Sequence, residues 1–278
     1  MAGRTTLLPS LLKLMLSNLA QLIRYRELIQ VLVTRELKAR YRGSVLGFFW
    51  SFINPLLLLL VYTFVFTVII PRGELVNLEP YAVFLFCGLL PWTWFSSSLS
   101  DSANALIING NLIKKVMFPA EILPVVAVLA NMVHFIFGLP ILSAFLIYYA
   151  VPLRLSELIW LPVVMAVQLI LTLGLAMVLA ALTVHFRDIK DLLANLLTLW
   201  FFATPIIYPM SMLPSQGKVF MDLNPFAHLA ISYQEILFYG GPFGHWKWLL
   251  ALAGGGVGFF LMGYGLFDRL RDSFAEEV

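Results

Sequence analysis

The chain has 278 residues, 61% of them hydrophobic and only 12% charged, with a mean hydropathy of +0.91. Soluble domains carry about 25% charged residues, so a water-surrounded globule is excluded and lipid is the expected solvent. The net charge of +3 is small; its distribution along the chain matters more than its size, and no nucleic-acid partner is expected.

The opening residues, MAGRTTLLPS, lack a basic stretch followed by an apolar run and a cleavage site, so no cleaved signal peptide is expected. From Tyr25 to Arg42 the pattern is helical. Ile29, Val33, Leu37 and Tyr41 form one stripe, and Arg35, Lys38 and Arg42 lie opposite. Glu36 and Arg40 interrupt the apolar side, where they can partly neutralise each other as an i,i+4 pair. A basic amphipathic helix of this kind is expected in the membrane interface, apolar side in lipid and basic side toward anionic headgroups. A plain membrane anchor is the simpler alternative. RGSVLG (42–47) supplies two glycines, a flexible corner before the first span.

Six stretches are long and apolar enough to cross a bilayer, which takes about 20 residues: roughly 46–70, 81–104, 122–149, 158–183, 192–212 and 247–267. The predicted fold class is therefore an all-α membrane protein with six transmembrane helices. Of the 18 Lys and Arg residues, 14 fall on the side of the N-terminus and four (Arg72, Arg154, Lys218, Lys247) on the other. The excess of basic residues on cytoplasmic segments then puts both termini in the cytoplasm. This gives a cytoplasmic N-terminus with its helix over 1–45, a transmembrane domain over 46–268 and a cytoplasmic tail over 269–278.

The first cytoplasmic turn reads NLIKKVMFPAEILP (111–124). Topology alone accounts for Lys114 and Lys115. It accounts less well for Leu112, Ile113, Val116, Met117 and Phe118, which have no lipid to face; a short helix carrying them suits a groove on a partner. An ordinary solvated loop is the competing reading. The second turn, VHFRDIKDLL (184–193), carries Arg187, Asp188, Lys190 and Asp191 and reads as a solvated turn or a second docking contact. Beyond the fifth span, Pro205 and Pro209 are expected to bend or break the helix. The apolar run near 224–241 is too short to span and reads as re-entrant or interfacial.

Polar residues within the spans, among them Ser96, Ser97, Ser98, Ser100, Asn131, His134 and Gln168, suit hydrogen bonding between helices. Asp101, an ionisable group in an apolar run, also marks a pathway candidate. Aromatic clusters include Phe48, Trp50 and Phe52 in the first span and Trp200 and Phe201 in the fifth; they suit interfacial belts or the walls of a sugar pathway. Gly254-x-x-x-Gly258 permits close helix packing. No P-loop, H-E-x-x-H, C-x-x-C or nucleophile elbow occurs, the four histidines are scattered, and the lone Cys87 forms no internal disulfide. No catalytic or metal site is expected in this chain.

VTRELKARYRGSVLGFFWSFINP (33–55), NLIKKVMFPAEILP, FRDIKDLL (186–193), TPIIYP (204–209) and Asn224-Pro225 follow in one order. Together they resemble the membrane subunit of type-2 ABC exporters of bacterial surface polysaccharides (O-antigen, capsule, teichoic acid) over about residues 25–270. The resemblance implies two copies of this chain and two of a separate ATPase, which holds ATP and magnesium, in the bacterial inner membrane. It implies a lipid-linked glycan as cargo. It makes Asn111 to Pro119 the coupling helix to the ATPase and about 25–41 a gate helix, with Leu46-Gly47 the turn before the first span. It places re-entrant helices after Pro209. An exporter of a small molecule or lipid, an ATPase-independent transporter and a membrane enzyme on lipid-linked sugar are the alternatives.

Overall fold

The computed structural model describes residues 23–69, 78, 80–114 and 118–277. The expectations for the first 22 residues, for Arg72 and for Lys115, Val116 and Met117 lie outside them. Helices and the turns between them make up the described chain, with no strand among the described residues.

Helix α1 spans Arg26–Arg40. Gly43 and Gly47 then take φ of 78° and 49°, a left-handed geometry that suits glycine, and turn the chain into the 3-10 turn Gly47–Phe49 and helix α2, Trp50–Phe64. A π-helical turn, Val65–Ile69, extends α2; residues 50–69 together reach about 30 Å, one bilayer core. Helices α3 (Tyr81–Ile108), α5 (Ile122–Tyr148), α6 (Trp160–His185) and α10 (Trp246–Glu277) include the four stretches long and apolar enough to cross a membrane. The short α4, Gly110–Ile113, links α3 to α5.

The fifth predicted span is interrupted. Helix α7 runs Ile189–Phe202 and stops, because a residue preceding proline is driven out of the helical region and proline has no N–H to donate. Side chains from elsewhere meet the freed carbonyls of this break. Gln234 Nε2 donates to Pro205 O (2.9 Å) and Tyr81 OH to Ile207 O (2.9 Å). The chain returns through α8, Ser215–Leu223, and α9, Pro225–Leu237. At 13 residues, α9 is about 20 Å long, too short to cross; it buries Phe226, Leu229, Tyr233 and Ile236 in the main core cluster.

Helix α10 packs along α6, and α3 packs on both α5 and α6. The expected close contact at Gly254 and Gly258 is not where backbones meet: a side chain added at either would face open space. The close approach is Gly174 of α6 against Gly263 of α10, where a Cβ at 263 would lie 2.5 Å from Gly174 O. Polar side chains do tie helices together. Trp94 Nε1 donates to Val128 O (3.3 Å) and Gln168 Nε2 to Pro91 O (2.9 Å).

One end of the bundle gathers α1, the segment after α3, the α6–α7 turn and the end of α10 around a second core cluster. It includes Ile29, Leu32, Leu106, Ile122, Val184, Phe267 and Phe274. The apolar side of α1 is thus covered by protein: Ile29 and Leu32 are buried, where the sequence suggested lipid.

Candidate functional site

At the α1 end, an arginine on the apolar side of an interfacial helix and an acid in an apolar span both need partners, and they supply each other. Arg40 Nη2 donates to Asp101 Oδ2 of α3 at 2.7 Å, and its Nη1 donates to Asn131 Oδ1 of α5 at 3.0 Å. Asn131 Nδ2 closes the triangle on Asp101 Oδ2 at 2.8 Å. Arg40 therefore reaches across to Asp101 and Asn131, the neutralisation expected from Glu36 being met here by another helix. One turn earlier Arg35 Nη2 donates to Asn109 Oδ1 (3.1 Å). Tyr41 follows: Ser51 Oγ donates to its hydroxyl (2.9 Å), which lies 3.4 Å from His134 Nδ1. These bonds fasten the C-terminal end of α1 to three helices at once.

Beside this latch opens a cavity of about 770 Å³ between the corner at 41–50 and helices α2, α3 and α5. Arg40, Tyr41, Ser44, Ser51, Asn131 and His134 supply its polar wall, Trp50 and Trp94 its aromatic wall, and Leu57, Leu58 and Val61 its apolar mouth. Trp50 is oriented by its own Nε1, which donates to Ser44 Oγ (2.9 Å).

Lys38, Arg42 and Leu46 are exposed. Phe48 sits in the 3-10 turn, and Phe52 meets Phe137 at 5.5 Å between ring centroids. Phe201 is buried against Trp92 (5.7 Å). Trp200 is half-buried, and its Nε1 donates to Asn224 Oδ1 (2.7 Å). In the coupling segment Asn111 and Lys114 are exposed and Leu112 is half-buried, while Ile113 and Phe118 pack on the second core cluster and Pro119 is buried. Its apolar residues thus serve this chain's own core in part, and the exposed polar pair offers the clearer outward face. Arg187, Asp188 and Asp191 are all exposed at the α6–α7 turn.

Sequence spacing missed a second constellation, at the opposite end. His228 Nδ1 and His245 Nε2 lie 3.0 Å apart, His228 Nε2 lies 3.0 Å from Asp222 O, and His245 Nδ1 lies 3.6 Å from Glu235 Oε1. A carbonyl only accepts, so His228 Nε2 carries the hydrogen there and its neutral Nδ1 accepts from His245. Glu235 Oε2 also accepts the N–H groups of Gly244 and His245, holding the α9–α10 corner. Trp248 stacks on His228 (4.1 Å), and Tyr239 lines a cavity of about 530 Å³ together with His228, Glu235 and His245. Among the described residues no group of three or more His, Cys, Asp or Glu is placed to hold a metal ion.

Burial holds His228 below its ordinary pKa. Burial alone would raise Glu235, but the His245 side chain and the two backbone N–H groups outweigh it and hold the carboxyl below its ordinary value. Both groups thus bind protons less readily when folded, so their stabilisation is complete above the unfolded values and is lost on acidification. For His228 the loss begins below about pH 6.5. Hydrogen exchange of residues 240–245, corrected for intrinsic rates, is expected to show lower protection at pH 5.5 than at 7.5. Protection independent of pH would contradict this.

A bundle with four helices long and apolar enough to cross a membrane has the architecture of a multi-pass membrane protein. The chain belongs to the ABC-2 type transporter family, whose model matches residues 27–238, and it is a multi-pass protein of the cytoplasmic membrane. It is 41% identical over 266 residues to an O-antigen export system permease protein of Myxococcus xanthus, covering 95% of this chain and 100% of the relative. A Klebsiella pneumoniae protein of the same description is 34% identical over 250 residues (90% and 94%). The polysialic acid transport protein KpsM of Escherichia coli is 24% identical over 225 residues (76% and 81%).

Proposed function

We propose that this chain is the transmembrane subunit of an ATP-driven exporter that moves a lipid-linked polysaccharide of the O-antigen type across the cytoplasmic membrane. The observation that carries this reading is end-to-end similarity to an O-antigen export permease in a chain with no P-loop of its own. ATP and magnesium belong to a separate ATPase, present in two copies with two copies of this chain. Six crossings, counting α2 and the broken α7, put both termini in the cytoplasm, with α8 and α9 re-entrant from the outer side. Supporting this, α1, the 110–119 segment, the α6–α7 turn and the end of α10 share one end of the bundle, and those are the segments rich in Lys and Arg.

ATP binding closes the ATPase pair against residues 111–119, with Arg187, Asp188 and Asp191 as a second contact. Ile113 and Phe118 pack in the same cluster as Ile29 and Leu32 of α1, so displacement of the segment reaches the gate helix directly. Lys114 is exposed and its substitution leaves the core intact. Lys114→Glu is expected to reduce capture of the ATPase about tenfold through like-charge or lost-contact effects at the rim. Full capture together with full export would remove the segment from the coupling role.

A further inference from the structure

We infer that Asp101 is a resident counter-ion for Arg40, occupying the place that the phosphate of a lipid-linked glycan takes when it fills the neighbouring cavity. The inference rests on the exporter reading above and adds how the site recognises and reports its cargo.

Among the described residues lining the 770 Å³ cavity, Arg40 alone carries a permanent charge. Asp101 does not line it. Asp101 lines a smaller cleft of about 140 Å³ on the far side of the latch, together with Arg35 and Glu36. Arg40 thus joins the two, bonded to the Asp101 carboxylate and lining the larger cavity. The cavity matches an amphiphile: hydroxyl and imidazole groups beside Arg40, the half-buried indole of Trp50 for a sugar ring, and an apolar mouth at Leu57, Leu58 and Val61 for a hydrocarbon tail. With a cation at the polar end and no acid among the described lining residues, the headgroup that fits is anionic.

The resident pair is exchangeable. The side chains of Arg40 and Asp101 are 31% and 42% exposed, and ion pairs this open to solvent are weak. A guanidinium fork matches phosphate as well as carboxylate, and a phosphate of higher charge competes effectively. Exchange does not leave Asp101 bare, since its side chain is 42% exposed and Arg35 offsets Glu36 in its cleft. Asp101 keeps the 2.8 Å bond from Asn131 Nδ2 and shares its cleft with Arg35. What is lost is the tie between α1 and α3, so occupancy of the cavity loosens the gate helix at its C-terminal end. Cargo recognition is thereby linked to the helix that shares a core cluster with the coupling segment.

The test uses the permease with its ATPase in phosphatidylcholine nanodiscs and a fluorescent polyprenyl diphosphate as probe. Asp101→Asn is expected to bind the probe about fivefold tighter, since it removes the competing charge. Arg40→Gln is expected to bind it at least tenfold more weakly. The double variant should match Arg40→Gln alone, because a counter-ion has no effect once its cation is gone. Asp101→Ser, lacking the amide, should shift affinity in the same direction as Asp101→Asn. Phosphatidylglycerol at equal charge should not compete; equal competition would make the site one for bulk anionic lipid and overturn the inference. So would unchanged or weaker binding by both Asp101 variants, or unchanged binding by Arg40→Gln. ATP-dependent export by the wild type, measured separately, distinguishes failure of this exchange from failure of the exporter reading.

Discussion

Asn224→Ala is expected to lower the stability of the protein by about 2–4 kcal/mol, read as a fall in the unfolding midpoint in detergent. One side chain here holds two helices. Asn224 Oδ1 accepts from Phe226 N (3.1 Å) and Ala227 N (3.2 Å), capping α9, and also from Trp200 Nε1 (2.7 Å). Its Nδ2 donates to Ala203 O (3.2 Å) and Thr204 Oγ1 (3.0 Å), at the point where α7 breaks. Loss of an N-cap costs about 0.5–2 kcal/mol, and leaving the half-buried indole N–H without its acceptor adds about 1–3 kcal/mol. Asn224→Asp keeps the acceptor and should cost less than the alanine. Equal midpoints for wild type and Asn224→Ala would show that the α7 break is held by other contacts.

The second large effect is expected where α6 and α10 touch. A methyl group at position 263 would lie 2.5 Å from Gly174 O and 3.1 Å from Met177 Cβ, and one at 174 would lie 2.6 Å from Phe260 N. Backbone cannot swing aside as a long side chain can, so the helices must separate. Overpacking of this kind costs about 1–3 kcal/mol. Gly263→Ala and Gly174→Ala act on one contact, so the double variant should lose less than the sum of the two. Gly254→Ala, facing open space, should be close to neutral and serves as the control. Losses at 254 equal to those at 263 would contradict the packing described.

These two sites show what the sequence discloses and what it withholds. Hydropathy and proline are local signals. They place α3, α5, α6 and α10, and Pro205 with Pro209 announces the broken fifth span, although the helix ends at Phe202, before the first of them. The G-x-x-x-G spacing is also local, yet it points to Gly254 and Gly258 while the backbones meet at Gly174 and Gly263, because spacing along one helix does not say which face meets a neighbour. The latch was half legible. Arg40 on the apolar side of α1 and Asp101 in an apolar run are both anomalies of the sequence, and unlike charges on two otherwise apolar helix faces suit each other. Their pairing across 61 residues depends on how α1 folds back under the bundle, which no periodicity reports. His228 and His245 left no trace of this kind, since a separation of 17 residues spans a helix end and a turn.

The same distinction alters the reading of the coupling segment. Exposure of its apolar residues was the sequence argument for a partner, and the fold takes Ile113 and Phe118 into its own core. That shifts the outward face to Asn111 and Lys114 and makes the segment a lever: the residues that feel the partner are joined by packing to those that hold α1.

ATP-driven export by this chain is read most simply from transport itself. Inverted membrane vesicles carrying this chain and its ATPase are supplied with lipid-linked polysaccharide on the outside, and the polymer protected from added glycosidase is measured. Protection is expected to require ATP, this chain and the ATPase together, and to fall in Lys114→Glu in step with lost ATPase capture. Protection that persists without ATP, or in vesicles lacking the ATPase, would contradict it.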